Sequence, residues 1–299
     1  MAEGSDNKNK RKNGGREIVS RLIFAALLIV FLVSGGLFLR DFLTYKKGES
    51  DYAAVNAAIT VEETPEKTPE ETAAAGATED AAADDEAGDQ DKTEEYPALA
   101  IDFDKLEKTN ADFVGVLYVP ALDLYYPVAH SHDNAEYLHR TFSGEQNPCG
   151  SIFLDKEASA DFSDLNTFIF GHNMKNETMF GSLKRFSREE GLCDADPYIY
   201  LYTKDTVRKY HIFSYSVCSV NDDLYRNFSG RDGYGPYVKH AQNLSEYRPE
   251  TDTYKDDFSQ YPPILTLSTC YGTAHTQNFV VFGALAGTYE NSCFFDSNS

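Results

Sequence analysis

Two apolar runs in this sequence lead into side chains able to carry acyl transfer. Pro263-Ile264-Leu265-Thr266-Leu267-Ser268-Thr269 runs into Cys270, and Tyr271-Gly272-Thr273 follows. Thr167-Phe168-Ile169-Phe170 runs through Gly171 into His172. A strand that ends at a loop is where a rigid scaffold presents a reactive group to a cleft. A free thiol has a pKa of ~8.5 and is a weak nucleophile at neutral pH. A neighbouring imidazole holds the thiolate as an ion pair and then hands its proton to a leaving amine. Each residue alone has a plainer reading: a buried Cys packs as a small apolar side chain, and a lone His at a strand end is commonly structural. A Cys and a His on two strand ends make the stronger joint case, that of a thioester-forming dyad.

The remaining cysteines are Cys149, Cys193, Cys218 and Cys293, giving 5 in all. An odd number leaves at least one free thiol. No Cys-x-x-Cys occurs and no Cys/His spacing suits zinc. His130 and His132 alternate on one strand face without a third ligand. No metal and no cofactor is expected. The formal net charge of -21 argues against nucleic acid, which requires clustered Lys and Arg.

The elements that must position the dyad fall in the second half of the chain. Short strands are expected at Gly115–Val119, Leu122–Tyr126, Ser151–Leu154, Thr167–Phe170, Tyr198–Tyr202, Val207–Val217, Ile264–Ser268 and Phe279–Leu285. Helices are expected at Asp102–Lys108, at Asn134–Arg140 behind an Asp133 cap, and on the surface at Tyr237–Tyr247. Many strands and few helices predict a mainly β fold, a barrel or sandwich.

Ahead of them lies a polar, basic stretch, residues 1–21, with Lys8, Lys10, Arg11, Lys12 and Arg16. The uncharged run Leu22–Leu39 is long enough to cross a ~30 Å hydrocarbon core as a helix. It is longer than the apolar core of a cleavable signal, and no clean cleavage site follows. The larger basic cluster precedes the span, which predicts a single-pass membrane protein with its N-terminus in the cytoplasm and the rest outside. Residues 40–95 are rich in Ala, Glu, Asp and Thr and read as a disordered acidic linker. A folded domain is expected over 96–290, then a tail over 291–299.

An ordered set of motifs resembles the class B sortases. It comprises Asn110-Ala111-Asp112 with Val114-Gly115, Tyr126-Pro127-Val128, Asp133-Asn134 with Tyr137-Leu138, Gly150 to Asp155, Phe170-Gly171-His172-Asn173 and Thr266 to Cys270. The similarity runs from about Leu99 to Leu285, and the Tyr237–Tyr247 helix resembles that class's long insertion. The resemblance implies an eight-stranded sortase β-barrel with flanking helices. It implies that Cys270 attacks the carbonyl of a Thr in a C-terminal sorting signal, of an Asn-Pro-x-Thr type, on a surface protein. His172 then corresponds to the general acid/base, and the thioester passes to an amine of a peptidoglycan precursor or a pilin.

One position departs from that pattern. Sortases carry an Arg just before the apolar run of the last strand; here Asn278 precedes Phe279-Val280-Val281, and no Arg follows Cys270. That Arg is held to bind substrate and the developing oxyanion, and losing one such donor costs ~10²–10³ in rate. Asn278 still donates through its NH₂ group but brings no charge. Thr269 and His275 are the other candidates for oxyanion or substrate binding, with Arg226 or Arg231 as cations from elsewhere. The departure leaves two alternatives to an active transpeptidase: a degenerate sortase that binds signals with little turnover, and a non-catalytic surface scaffold. Other cell-wall Cys/His transpeptidases place a Gly-containing turn before the Cys, which Ser268-Thr269-Cys270 does not supply.

Overall fold

The computed structural model describes residues 6–61, 96–225, 228, 230–247, 257–272, 274 and 276–291. The chain forms two compact units, residues up to Ser50 and residues from Asp51. The first is the body of helix α1 (Asp6–Asn56), whose side chains from Leu22 to Leu43 stand largely exposed. By length and composition, α1 is the one helix among the described residues able to cross a membrane.

The second unit opens with the end of α1. Strand β1 (Ile59–Val61) pairs antiparallel with β2 (Leu99–Ile101). This corrects the linker boundary expected at residue 40. Tyr52, Val55, Ala58 and Ile59 are buried, and the Tyr52 hydroxyl donates to the Gly150 carbonyl at 2.9 Å. Their spacing forms one apolar stripe along the helix end and the strand after it. An acidic composition averaged over the longer stretch masks that stripe. The rest of the expected linker, 62–95, lies outside the described residues, as does most of the expected tail.

Helix α2 (Phe103–Thr109) follows, its first turn capped by Asp102, whose carboxylate accepts from the Lys105 N–H. Then come β3 (Phe113–Val119), β4 (Leu124–Ala129), β5 (Ile152–Leu154) and β6 (Asn166–Phe170). Short helices α3 (Arg185–Arg188) and α4 (Leu192–Ala195) precede β7 (Tyr198–Tyr202) and β8 (Thr206–Ser219). Helix α5 (Arg231–Leu244), β9 (Ile264–Tyr271) and β10 (Gln277–Glu290) complete the order. Strands β3 to β10 close into an eight-stranded barrel in the order β10-β8-β7-β3-β4-β5-β6-β9. All neighbours are antiparallel except β4/β5 and β6/β9, which are parallel.

Alternation along the strands assigns the two faces of the wall. Leu265 and Leu267 of β9 and Phe279 and Val281 of β10 join the main core with Leu117, Ile169, Ile199 and Leu201. Their neighbours Ile264, Val280 and Phe282 instead form a second cluster with Tyr234, Tyr237, Val238 and Ala241 of α5. This part of the wall is covered on both sides, which accounts for its nearly continuous apolar sequence.

Two expected helices are corrected. α5 begins at Arg231 rather than Tyr237, because its buried positions 234, 237, 238 and 241 have helical spacing that outweighs Gly233, Gly235 and Pro236. That stripe packs on the barrel, so α5 is not merely a surface helix. The Asn134–Arg140 helix reduces to one turn, Glu136–Leu138. Asp133 does accept from the N–H groups of Ala135 and Glu136, both at 2.8 Å. The turn cannot continue because its carbonyls are taken elsewhere: Ser151 N–H donates to Tyr137 and Asn147 N–H to His139.

Candidate active site

The same unwound turn frees the Leu138 carbonyl for the site. His172 Nε2–H donates to it at 2.7 Å, which puts the ring proton on Nε2 and leaves Nδ1 as the nitrogen able to exchange a proton. Gly150 lets the backbone approach this point. It has φ +60°, and a Cβ there would stand 2.8 Å from the Leu138 oxygen and 2.9 Å from the His172 ring. Gly171 is required for a similar reason, since a Cβ there would collide with the Ile152 and Phe180 side chains.

Strand register sets His172 beside Cys270. β6 and β9 are parallel with Phe170 opposite Ser268, so His172 and Cys270 each lie two residues beyond one paired level. Adjacent strands lie ~4.8 Å apart. Three hydrogen bonds stitch the His172 loop to the Cys270 strand. Gly171 N–H donates to the Ser268 carbonyl at 3.2 Å, Thr269 Oγ1–H to the Gly171 carbonyl at 2.8 Å, and Asn173 Nδ2–H to the Cys270 carbonyl at 2.7 Å. Lys184 Nζ donates in turn to Asn173 Oδ1, and burial holds its ammonium below the usual lysine range. Cys270 is half-buried, whereas Cys149, Cys193 and Cys218 are buried. Burial pushes the Cys218 thiol up to about 11 and the Cys193 thiol up to about 12.

On the other side of Cys270 stands Asn278, its direct partner on β10, and Cys218 is the partner of Asn278 on β8. Cys218, Asn278 and Cys270 thus form one row across three strands, and His172 lies in the loop that continues from the end of the fourth, β6. Asn278 Nδ2–H donates to the Tyr225 hydroxyl at 2.8 Å, and that hydroxyl shares a hydrogen bond with Ser268 Oγ at 2.7 Å. The Tyr225 ring stacks on Phe168 of β6, centroids 5.7 Å apart. Burial raises the Tyr225 phenol well above its ordinary value, so it is neutral at physiological pH. A cavity of about 280 Å³ lies along β6, lined by Phe168, Asp155, Asn166 and Phe228 and by none of Cys270, His172, Asn278 or Tyr225.

The sequence candidates therefore separate. Cys270, His172 and Asn278 come together. Thr269 is buried with its hydroxyl committed to Gly171, which leaves it no side-chain donor for an oxyanion. Arg231 lies over the Tyr261 ring, 5.0 Å from its centroid. His275 and Arg226 lie outside the described residues. Sequence reasoning missed Tyr225, Lys184 and the Leu138 carbonyl. None of them has a local signature, since each reaches the row from a connection rather than from a strand.

The arrangement joins a thiol, an imidazole with one nitrogen already satisfied, and a neutral amide donor. That set can form and resolve a thioester. Comparison with known proteins agrees on the chain's kin. Residues 117–286 match the sortase domain family. Sortase B of Listeria monocytogenes is 30% identical over 168 residues, spanning 55% of this chain and 65% of that protein. The match thus falls just short of two thirds of that relative's length. The crystal structure of Clostridium perfringens sortase B superposes with a TM-score of 0.55 at 29% identity, covering 62% of this chain and 99% of that one. A Staphylococcus aureus sortase B–substrate complex gives 0.54 at 26% identity, covering 61% and 83%.

Proposed function

Because the chain belongs to the sortase family, we propose that it is a class B-type cysteine transpeptidase with Cys270 as nucleophile and His172 as acid/base. The observation that carries this reading is that His172 and Cys270 each follow the paired level Phe170/Ser268 of parallel β6 and β9 by two residues, with the His172 loop hydrogen-bonded to the Cys270 strand. Cys270 attacks the carbonyl carbon of a Thr in a sorting signal as the thiolate. The C–S bond forms, the carbonyl oxygen takes the negative charge, and Asn278 Nδ2–H faces it. Collapse breaks the C–N bond, and the leaving amine takes the proton from His172 Nδ1. The acceptor amine attacks the thioester and gives His172 its proton, and Cys270 leaves as thiolate. Throughout, the Leu138 carbonyl supports the charged ring through Nε2–H.

In this reading the acceptor amine belongs to a peptidoglycan precursor or a pilin, and the donor is a signal-bearing surface protein. Residues 22–39 anchor the enzyme in one pass with its N-terminus in the cytoplasm. Sharing a thin layer with membrane-held substrate raises the effective concentration without any new contact.

Asn278 favours a second reading, a sortase that binds signals but turns over poorly. One assay separates them. The full chain in detergent micelles is given a quenched-fluorophore library built on Asn-Pro-x-Thr, with and without an amine acceptor. Cys270-dependent cleavage, absent in Cys270→Ala, supports the transpeptidase. Binding without cleavage supports the degenerate form, and neither supports a scaffold domain.

A further inference from the structure

Asn278 stands where a charged donor is expected, and a lone asparagine is a poor substitute. Its amide rotates, and either its oxygen or its NH₂ can face a cleft. Here it is not free to choose. The Tyr225 hydroxyl already has a partner in Ser268 Oγ at 2.7 Å and a further contact with the Cys218 thiol. What it offers Asn278 is a lone pair, and Asn278 answers with Nδ2–H at 2.8 Å. The amide is planar, so fixing one N–H fixes the direction of the other. That second N–H has no partner among the described residues. Its residue faces Cys270 directly across the strand pair, where side chains of opposed residues start ~4.5–5.5 Å apart.

We propose that Tyr225 is the positioning residue of this site: its hydroxyl locks the Asn278 amide so that the remaining Nδ2–H is a prepaid oxyanion donor, a neutral replacement for a guanidinium. The inference rests on the transpeptidase reading. It deepens that reading by adding a residue that touches no reacting atom. The lock is stiff because the phenol is tied down independently. Its ring stacks on Phe168, and its turn is held by the Tyr237 hydroxyl, which donates to the Leu224 carbonyl at 3.2 Å. A donor that need not reorganise as charge develops is worth more than one that must.

The test uses Tyr225→Phe, which keeps the ring stack and removes only the hydroxyl. On the Asn-Pro-x-Thr library, kcat is expected to fall roughly 10- to 10²-fold with KM little changed. Asn278→Ala should fall at least as far. Adding Tyr225→Phe to Asn278→Ala should cost nothing more, because the lock then has nothing to hold. Alkylation of Cys270 by iodoacetamide, which develops no oxyanion, should proceed in Tyr225→Phe at the wild-type rate. Wild-type kcat in Tyr225→Phe overturns the lock, and so does additivity in the double variant. An equal loss of alkylation and turnover also overturns it, since it marks a structural effect. Failure of the underlying reading looks different: the wild-type chain itself then shows no Cys270-dependent cleavage, and the lock falls with it.

Discussion

The β9–β10 hairpin and the long connection before it, residues 220–263, meet at the same row of side chains but are encoded differently. In the hairpin each residue's place follows from its own strand. Ile264–Tyr271 and Gln277–Glu290 are apolar runs whose alternation assigns Leu267 to the core and Cys270 to the opposite face. In the connection, position comes from tertiary packing. Tyr225 sits in a short turn held from α5, by Tyr237 to the Leu224 carbonyl and by His240 to Asp222 at 2.7 Å. Cys270 is thus placed locally, and the Asn278 amide opposite it is held from a distance.

The largest expected effect lies on the locally specified side. His172→Ala should lower turnover by roughly 10⁴-fold or more with little change in Tm, because the ring is half-buried and its loss leaves the Gly171 and Asn173 stitching intact. Steady-state kinetics beside a melting curve check it. A collapse in Tm would mean that His172 is structural and that the two regions do not differ as described.

Next in size is a pair of stability measurements. Leu267→Ala, fully buried in the barrel, should cost about 2–5 kcal/mol by denaturant unfolding. Tyr237→Phe, which removes the hydrogen bond between α5 and the turn together with the hydroxyl's interactions with Thr266 and Asn166, should cost less, about 1–2 kcal/mol. It should nevertheless lower turnover, since the turn carries Tyr225. If Tyr237→Phe leaves kcat untouched, the connection does not position the site.

The smallest perturbation is chemical. At pH 8 iodoacetamide should label Cys270 well before Cys218 or Cys193, whose thiols are raised to about 11 and about 12 by burial and so stay protonated. Peptide mapping reads the order. Labelling of Cys218 ahead of Cys270 would mean that the second cluster under α5 opens readily.

These contrasts also show what the sequence could carry. The eight barrel strands were legible because each is an apolar run bounded by turn residues, and the places of His172, two residues past β6, and of Cys270, next to the end of β9, followed from those runs. The helix expected at 134–140 failed because its carbonyls serve Ser151, Asn147 and His172, partners remote in sequence. α5 was cut short because Gly and Pro outweigh a buried stripe when the surface it packs against is unseen. Tyr225 and Lys184 had no signal at all, since their significance lies in which strand faces them.

The central claim is that Cys270 forms a thioester that His172 helps to resolve, and intact-protein mass spectrometry tests it directly. The full chain is mixed with an Asn-Pro-x-Thr peptide at low acceptor amine and quenched in acid. The account predicts an adduct equal to the acyl fragment of the peptide, mapped to Cys270, absent in Cys270→Ala and discharged on adding amine. Peptide cleaved without any adduct on Cys270, or cleaved equally by Cys270→Ala, would contradict it.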